Sequence, residues 1–112
     1  MVSAERVRVA IVRGLLAGGD GYNQMEMPEV SRFFGIAIRF YYNDHEPAHF
    51  HAVYGEHEAL IEIDSLAILR GELPRRALAL VFEWAALHRI ELRTNWENAR
   101  LGVPPAPIEP LD

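Results

Sequence analysis

Cysteine and lysine are both missing from this sequence, and its eleven basic residues are all arginine. Without cysteine, the chain can form neither a disulfide framework nor a thiolate metal site. No apolar run reaches the roughly 20 residues of a membrane-spanning helix, and no secretory leader is recognisable, so we expect a cytoplasmic protein. The formal charge of −5 disfavours a free-standing nucleic-acid binder, because tight nonspecific binding usually needs about 6–10 cationic phosphate contacts.

The length of the chain predicts one domain with a segment on each side. A chain of 112 residues supplies one modest core. Residues 1–26 are expected to form an extension that is either helical or poorly ordered, because glycines interrupt the pattern near residue 20. The domain itself is expected at 27–101. A Pro-rich tail follows at 102–112, where closely spaced prolines rule out a helix.

Strand-forming residues dominate the first half of this domain. Residues 33–42, 49–54 and 57–63 each predict a strand, and residues 66–69 would add a short fourth. Short turns separate these segments, so they predict an antiparallel meander of three to four strands. In the first strand the alternating pattern assigns one set of side chains to the core, namely Phe34, Ile36, Ile38, Phe40 and Tyr42.

The second half of the domain has the periodicity of a helix. Apolar residues recur at spacings of three and four from 74 to 100, which predicts one long C-terminal helix with a single buried stripe. This helix is the long element able to cover the apolar face of the sheet, so the fold class is α+β. The stripe consists of Ala77, Leu80, Val81, Trp84, Leu87, Leu92, Trp96 and Ala99.

Two histidines, His49 and His51, alternate with Phe50 near the middle of the chain. Strand side chains alternate faces, so Phe50 points to the core and both imidazoles point to the other face. The pair can hold a phosphate, act as an acid and a base, or share a metal ion with a third ligand. The alternative is that both are half-exposed strand residues. His45, in the preceding turn, comes near if that turn curls back.

Other polar residues accompany this pair on the outward positions of the strands. Arg39 and Tyr41 are expected on the histidine face, where an arginine favours an anionic ligand. Glu58 and Glu62 are also outward and favour a cation instead. Strand order decides which of these residues are neighbours, and the sequence does not give it.

On the helix, His88, Glu91 and Asn95 stack along one side at spacings of three and four. They form either the wall of a polar cleft or a boundary row where the amphipathic face meets water. A joint site with His49 has a geometric obstacle. If the helix packs on the face of Phe50, the two strand histidines point away from it unless the sheet curls strongly.

Several blocks of this sequence, taken together, resemble a known family. The blocks are 27–36, Tyr42-Asn43-Asp44-His45, His49-Phe50-His51-Ala52, Tyr54-Gly55-Glu56, Gly71, Leu73-Pro74, Glu83-Trp84 and Asn95-Trp96-Glu97. Their order and spacing are similar to those of a small prokaryotic family catalogued as domain of unknown function 4160, whose hallmark is the His-Phe-His motif. Ala48 departs from the family, which often has a second proline there.

The resemblance implies a small cognate partner protein and a toxin–antitoxin-like two-gene module with RNA as a candidate target. On this hypothesis the chain is the candidate toxin, with His49 and His51 as acid and base and Arg39 holding phosphate. No cofactor and no metal ligand are assigned. A noncatalytic interaction module is the first alternative, and a metal-binding domain that recruits His45 or a glutamate is the second. An exposed edge strand would also allow a homodimer.

Overall fold

The computed structural model describes residues 27–112, so the N-terminal extension predicted at 1–26 lies outside the described residues. No helix within this part is long and apolar enough to cross a membrane. Along these described residues, five strands precede two helices. They are β1 (Glu29–Phe33), β2 (Ile36–Arg39), β3 (His49–Tyr54), β4 (His57–Glu62), β5 (Ile68–Gly71), α1 (Arg75–Leu87) and α2 (Arg89–Arg100).

The strands form one antiparallel sheet in the order β1-β2-β3-β4-β5. The α+β class and the meander are therefore confirmed, but the predicted number of three to four strands is wrong. The segment predicted as one strand at 33–42 contains a tight turn, because Phe34 and Gly35 both have positive φ, 50° and 80°. Two positive-φ residues suit the turn of a two-residue hairpin. Phe34 is consequently 58% exposed and not in the core.

One face of this sheet carries the hydrophobic core, as the alternation predicts. Ile38, Phe50 and Ile61 are completely buried on that face. The helices contribute Trp84 and Trp96 to this core, and both are buried. Trp84 contacts both Phe33 and Phe50, with ring centroids 5.2 and 6.1 Å apart.

The predicted single long helix is also wrong, because it is divided at His88. That residue has φ −127° and ψ 29°, outside the helical range, and separates α1 from α2. A straight helix over 74–100 would be about 40 Å long, whereas six-residue strands span about 20 Å. The break lets both halves pack on the sheet. Leu87, placed in the predicted stripe, is 69% exposed at the end of α1.

The C-terminal segment after α2 packs against β1 and α1. The backbone N–H of Ile108 donates to the carbonyl of Val30 at 2.8 Å, and Ile108 is itself buried. The indole N–H of Trp84 donates to the carbonyl of Glu109 at 2.8 Å. This segment therefore borders β1. Within residues 27–112, the outer edge that no other segment borders is that of β5.

Candidate functional site

The central strand β3 places His49 and His51 on the face opposite Phe50, as the alternation predicts. Both are nevertheless buried, with 4% and 5% of their surface exposed. The loop between β2 and β3 folds back over them, and Trp96 packs against His49 with ring centroids 5.1 Å apart. Two polar rings in such a position need polar partners, since an unpaired buried polar group is costly.

A single carboxylate oxygen lies between the two rings. Oδ2 of Asp44 is 2.9 Å from Nε2 of His49 and 3.1 Å from Nε2 of His51. The other oxygen, Oδ1, accepts a hydrogen bond of 2.8 Å from the backbone N–H of His45. The loop therefore presents Asp44 to both histidines at once.

The remaining ring nitrogens also contact oxygen atoms. Nδ1 of His49 lies 2.7 Å from the carbonyl oxygen of Pro47, and Nδ1 of His51 lies 2.9 Å from Oε2 of Glu58. All four ring nitrogens thus have an oxygen within hydrogen-bonding distance. We call Asp44, His49, His51 and Glu58 the histidine network.

The network keeps Asp44 ionised. Burial by itself would raise the pKa of Asp44, but its hydrogen bond with His51 opposes that effect. The backbone N–H of His45 and the charges of His49 and His51 act in the same direction as this hydrogen bond. Together they lower the pKa of Asp44 below its ordinary value, so that the carboxylate persists at neutral pH.

Tyr41 and Arg39 lie beside His51. The ring of Tyr41 stacks on the imidazole of His51, with centroids 4.4 Å apart and planes 10° from parallel. Burial, followed by the charges of Glu58 and Asp44, raises the pKa of the Tyr41 hydroxyl, which therefore stays neutral. Arg39 is the cross-strand neighbour of His51 on β2 and approaches the carboxylate of Glu29 at 3.8 Å.

An open depression of about 260 Å³ borders the network. Asp44 and His49 line it together with Arg70 of β5. No described carboxylate lies within ion-pairing distance of the Arg70 guanidinium. Its other lining residues are His45, Glu46, Pro47, Leu60 and Leu69.

The structure places the remaining predicted site residues in two different surroundings. Exposed His45 lines the depression beside Asp44. His88 and Glu91 contact each other, and the His88 ring lies 5.4 Å from that of Trp84. The contacts seen for His88, Glu91 and Asn95 within the described chain do not reach the histidine network.

Asn95 instead holds the C-terminal segment. It is buried, its side-chain amide donates to the carbonyl of Ala106 at 2.8 Å, and its side-chain oxygen accepts from the Ala106 N–H at 2.8 Å. The helix residue that does reach the histidines is Trp96.

Sequence reasoning missed Asp44 and Arg70 as site residues. The available signal for Asp44 is its place in the same turn as His45, five residues before His49, since a turn that folds back brings such residues to the strand. Arg70 lies just beyond the strand predicted at 66–69, whereas β5 spans Ile68–Gly71 and includes it.

The fold and the site together define the class of this protein. It is a small α+β domain with a buried Asp-His-His network at one end of its central strand. Comparison with known protein families shows that a family model described as Domain of unknown function (DUF4160) matches residues 35–97. This match covers more than half of the chain, which therefore belongs to that family. No curated protein matches the chain, and no solved structure does.

Proposed function

We propose that this protein is the effector of a toxin–antitoxin-like two-gene module and acts on RNA phosphodiesters at the depression beside the histidine network. The observation that carries the proposal is that Arg70 lines the same depression as Asp44 and His49, without a described carboxylate partner. Arginine binds phosphate through two parallel N–H donors and keeps its charge at every physiological pH. The family membership adds the expectation of a cognate partner protein.

The walls of the depression fit one nucleotide unit better than a long duplex. Leu60 and Leu69 offer apolar surface on which a base or sugar can lie, and Arg70 offers the charge for its phosphate. The net charge of −5 disfavours an extended backbone contact. A single-stranded segment that inserts one phosphate is therefore the substrate class we expect.

Asp44 and His49 supply the reactive end. They are the members of the network that line the depression, whereas His51 is not part of its lining. In cleavage by an internal hydroxyl, the 2′-oxygen attacks phosphorus and the bond to the 5′-oxygen breaks. One proton passes from the first oxygen to the second. In this proposal Asp44 and His49 carry this proton, a task that accounts for about 10²–10⁴-fold in rate in general acid–base catalysis.

Growth after induction of the protein tests this proposal. Wild type is expected to arrest growth, and both Asp44→Asn and Arg70→Met are expected to relieve the arrest at equal soluble level. Arg89→Met is the matched control, since Arg89 is also exposed and without an ion pair but lies on α2. Purified wild type should cleave a single-stranded RNA oligonucleotide, and Arg70→Met should not. If Arg70→Met still arrested growth fully and still cleaved the RNA, Arg70 would not be the residue that binds phosphate.

A noncatalytic interaction module is the second candidate, favoured by the free edge of β5. Ile68 and Leu69 are exposed apolar residues on this strand, and a partner strand can pair with such an edge. Ile68→Lys is expected to weaken the complex with the cognate partner, with Ile90→Lys on α2 as its control. An interaction module predicts that Arg70→Met leaves growth effects unchanged while Ile68→Lys abolishes them.

A further inference from the structure

The histidine network has too few protons for its contacts when both rings are neutral. A neutral imidazole carries one N–H, and its other nitrogen is an acceptor. The Pro47 carbonyl can only accept, so Nδ1 of His49 carries the proton and Nε2 turns a lone pair to Asp44. His51 faces a carboxylate at each ring nitrogen, Glu58 at Nδ1 and Asp44 at Nε2, and its single proton serves only one of them. One lone pair of His49 therefore faces Oδ2 of Asp44, and one lone pair of His51 faces either Asp44 or Glu58, which is repulsive in a buried site.

Positive charge at this point removes the conflict. Either each histidine gains a second proton, or one cation lies between Asp44 Oδ2 and the two Nε2 atoms. Each of the three side chains offers one ligand atom, and these atoms lie within 4.8 Å of one another. Two ligands bound at right angles to an ion, each with a bond of about 2.1 Å, are about 3.0 Å apart. The observed Asp44–His49 and Asp44–His51 separations are 2.9 and 3.1 Å.

The outer atoms of these three side chains have the partners that metal ligands need. Nδ1 of His51 faces a carboxylate, Nδ1 of His49 faces a backbone carbonyl, and Oδ1 of Asp44 accepts from the His45 N–H. Such contacts fix the imidazole tautomer so that Nε2 is free to bind an ion. The stacked ring of Tyr41 and the ring of Trp96 pack against the two imidazoles.

We propose that Asp44, His49 and His51 bind one divalent transition-metal ion through Oδ2 and the two Nε2 atoms. Two imidazoles and one carboxylate favour zinc, iron, cobalt or manganese over the oxygen-preferring magnesium and calcium. Three protein ligands leave further positions for water or substrate, as in catalytic sites. Asp44 and His49 line the depression, so an open position on that side would lie in the depression that Arg70 also lines. The metal site does not depend on the RNA substrate proposed above. A bound ion would take over the activation of the attacking hydroxyl.

Metal titration of the untagged full chain, stripped with a chelator, tests the site. With Co²⁺ we expect saturable visible absorption at one ion per chain, and with Zn²⁺ one ion per chain by calorimetry. Asp44→Asn should lose this stoichiometric binding. Exposed His57→Gln is the control for adventitious histidine binding and should bind as wild type does. Equal binding by wild type and Asp44→Asn would overturn the proposal.

A second variant covers the case in which Asp44→Asn does not fold. Glu58 is 42% exposed at its side chain and contacts the ion only through His51, so Glu58→Gln should fold and weaken binding about 10–100-fold. Glu56→Gln, in the same hairpin, should have no effect. Nitrogen-15 spectra of the histidine rings distinguish a second proton on each ring from a bound metal ion. Zn²⁺ should shift Nε2 of both rings, whereas four protonated nitrogens that Zn²⁺ leaves unchanged would overturn the site. These readouts do not involve RNA cleavage or growth.

Discussion

Tyr41 stacks on His51, with ring centroids 4.4 Å apart and planes within 10° of parallel. Replacement of Tyr41 by alanine should remove this stack and reduce the free energy of unfolding by about 0.5–1.5 kcal/mol beyond the loss of buried area. Tyr41→Phe keeps the ring and should retain most of that stability. Urea unfolding of the metal-free protein measures both. If phenylalanine were as destabilising as alanine, the hydroxyl and not the stack would be the stabilising group.

The lowered pKa of Asp44 predicts that the metal-free protein loses stability as the pH falls into the acid range. Asp44 takes up its proton at lower pH in the folded state than in the unfolded state, so its contribution is complete above the ordinary aspartate pKa. As the pH falls below about 4, the unfolded state binds protons first and stability drops until the folded pKa is passed. In Asp44→Asn the stability should depend less on pH below about pH 5.

Urea midpoints measured from pH 7 to pH 2.5 in a chelator check this prediction. Glu56→Gln, which removes an exposed carboxyl outside the network, is the control and should lose stability in acid as wild type does. An Asp44→Asn profile parallel to wild type at every pH would show that Asp44 has the same pKa in both states.

Asn95 is expected to act on stability and not on ligand binding. Its side chain makes two hydrogen bonds of 2.8 Å to the backbone of Ala106 and is buried. Asn95→Ala leaves the Ala106 N–H and carbonyl unpaired and should reduce the free energy of unfolding by about 1–3 kcal/mol for each group that stays buried. Metal affinity and RNA cleavage should stay at the wild-type level. Thr94→Ala, an exposed neighbour, is the control for both measurements.

The parts of the fold that sequence predicted are those that depend on local periodicity. Alternation in β3 placed Phe50 in the core and both histidines on the other face, because a period of two is a property of the strand itself. The spacing of Trp84 and Trp96 identified their helical stripe for the same reason. The alternation did not show that His49 and His51 are buried, because their cover comes from a loop.

The parts that sequence did not predict depend on contacts between distant segments. The loop with Asp44 is tied to the end of α2, where the N–H of Asn43 donates to the carbonyl of Ala99 at 3.0 Å. No pattern within the loop contains that contact, so the direction of the Asp44 side chain could not be derived. The turn at Phe34-Gly35 is hidden in an unbroken apolar run, although glycine after a bulky residue was an available signal.

Gly71 is the position where an added methyl group should disturb the histidine network from a distance. Its φ is +78°, and a Cβ built there would lie 2.1 Å from the carbonyl oxygen of Glu58. Backbone has little freedom to move away, so Gly71→Ala should shift β4 at the residue whose side chain faces His51. We expect a loss of stability of more than about 3 kcal/mol, the upper end of the cost of a strained backbone conformation.

Gly55→Ala is the matched control for this substitution. Gly55 also has positive φ, +62°, but no atom lies within 4 Å of a Cβ added there. Its substitution should therefore cost about 1–3 kcal/mol from backbone strain alone. Urea unfolding compares the two variants, and the nitrogen-15 signal of His51 Nδ1 reports the contact with Glu58. Because only Gly71→Ala pushes on Glu58, it should move that signal while Gly55→Ala leaves it in place. Equal destabilisation by both substitutions would show that β4 accommodates the methyl group and that the contact with the Glu58 backbone does not position the network.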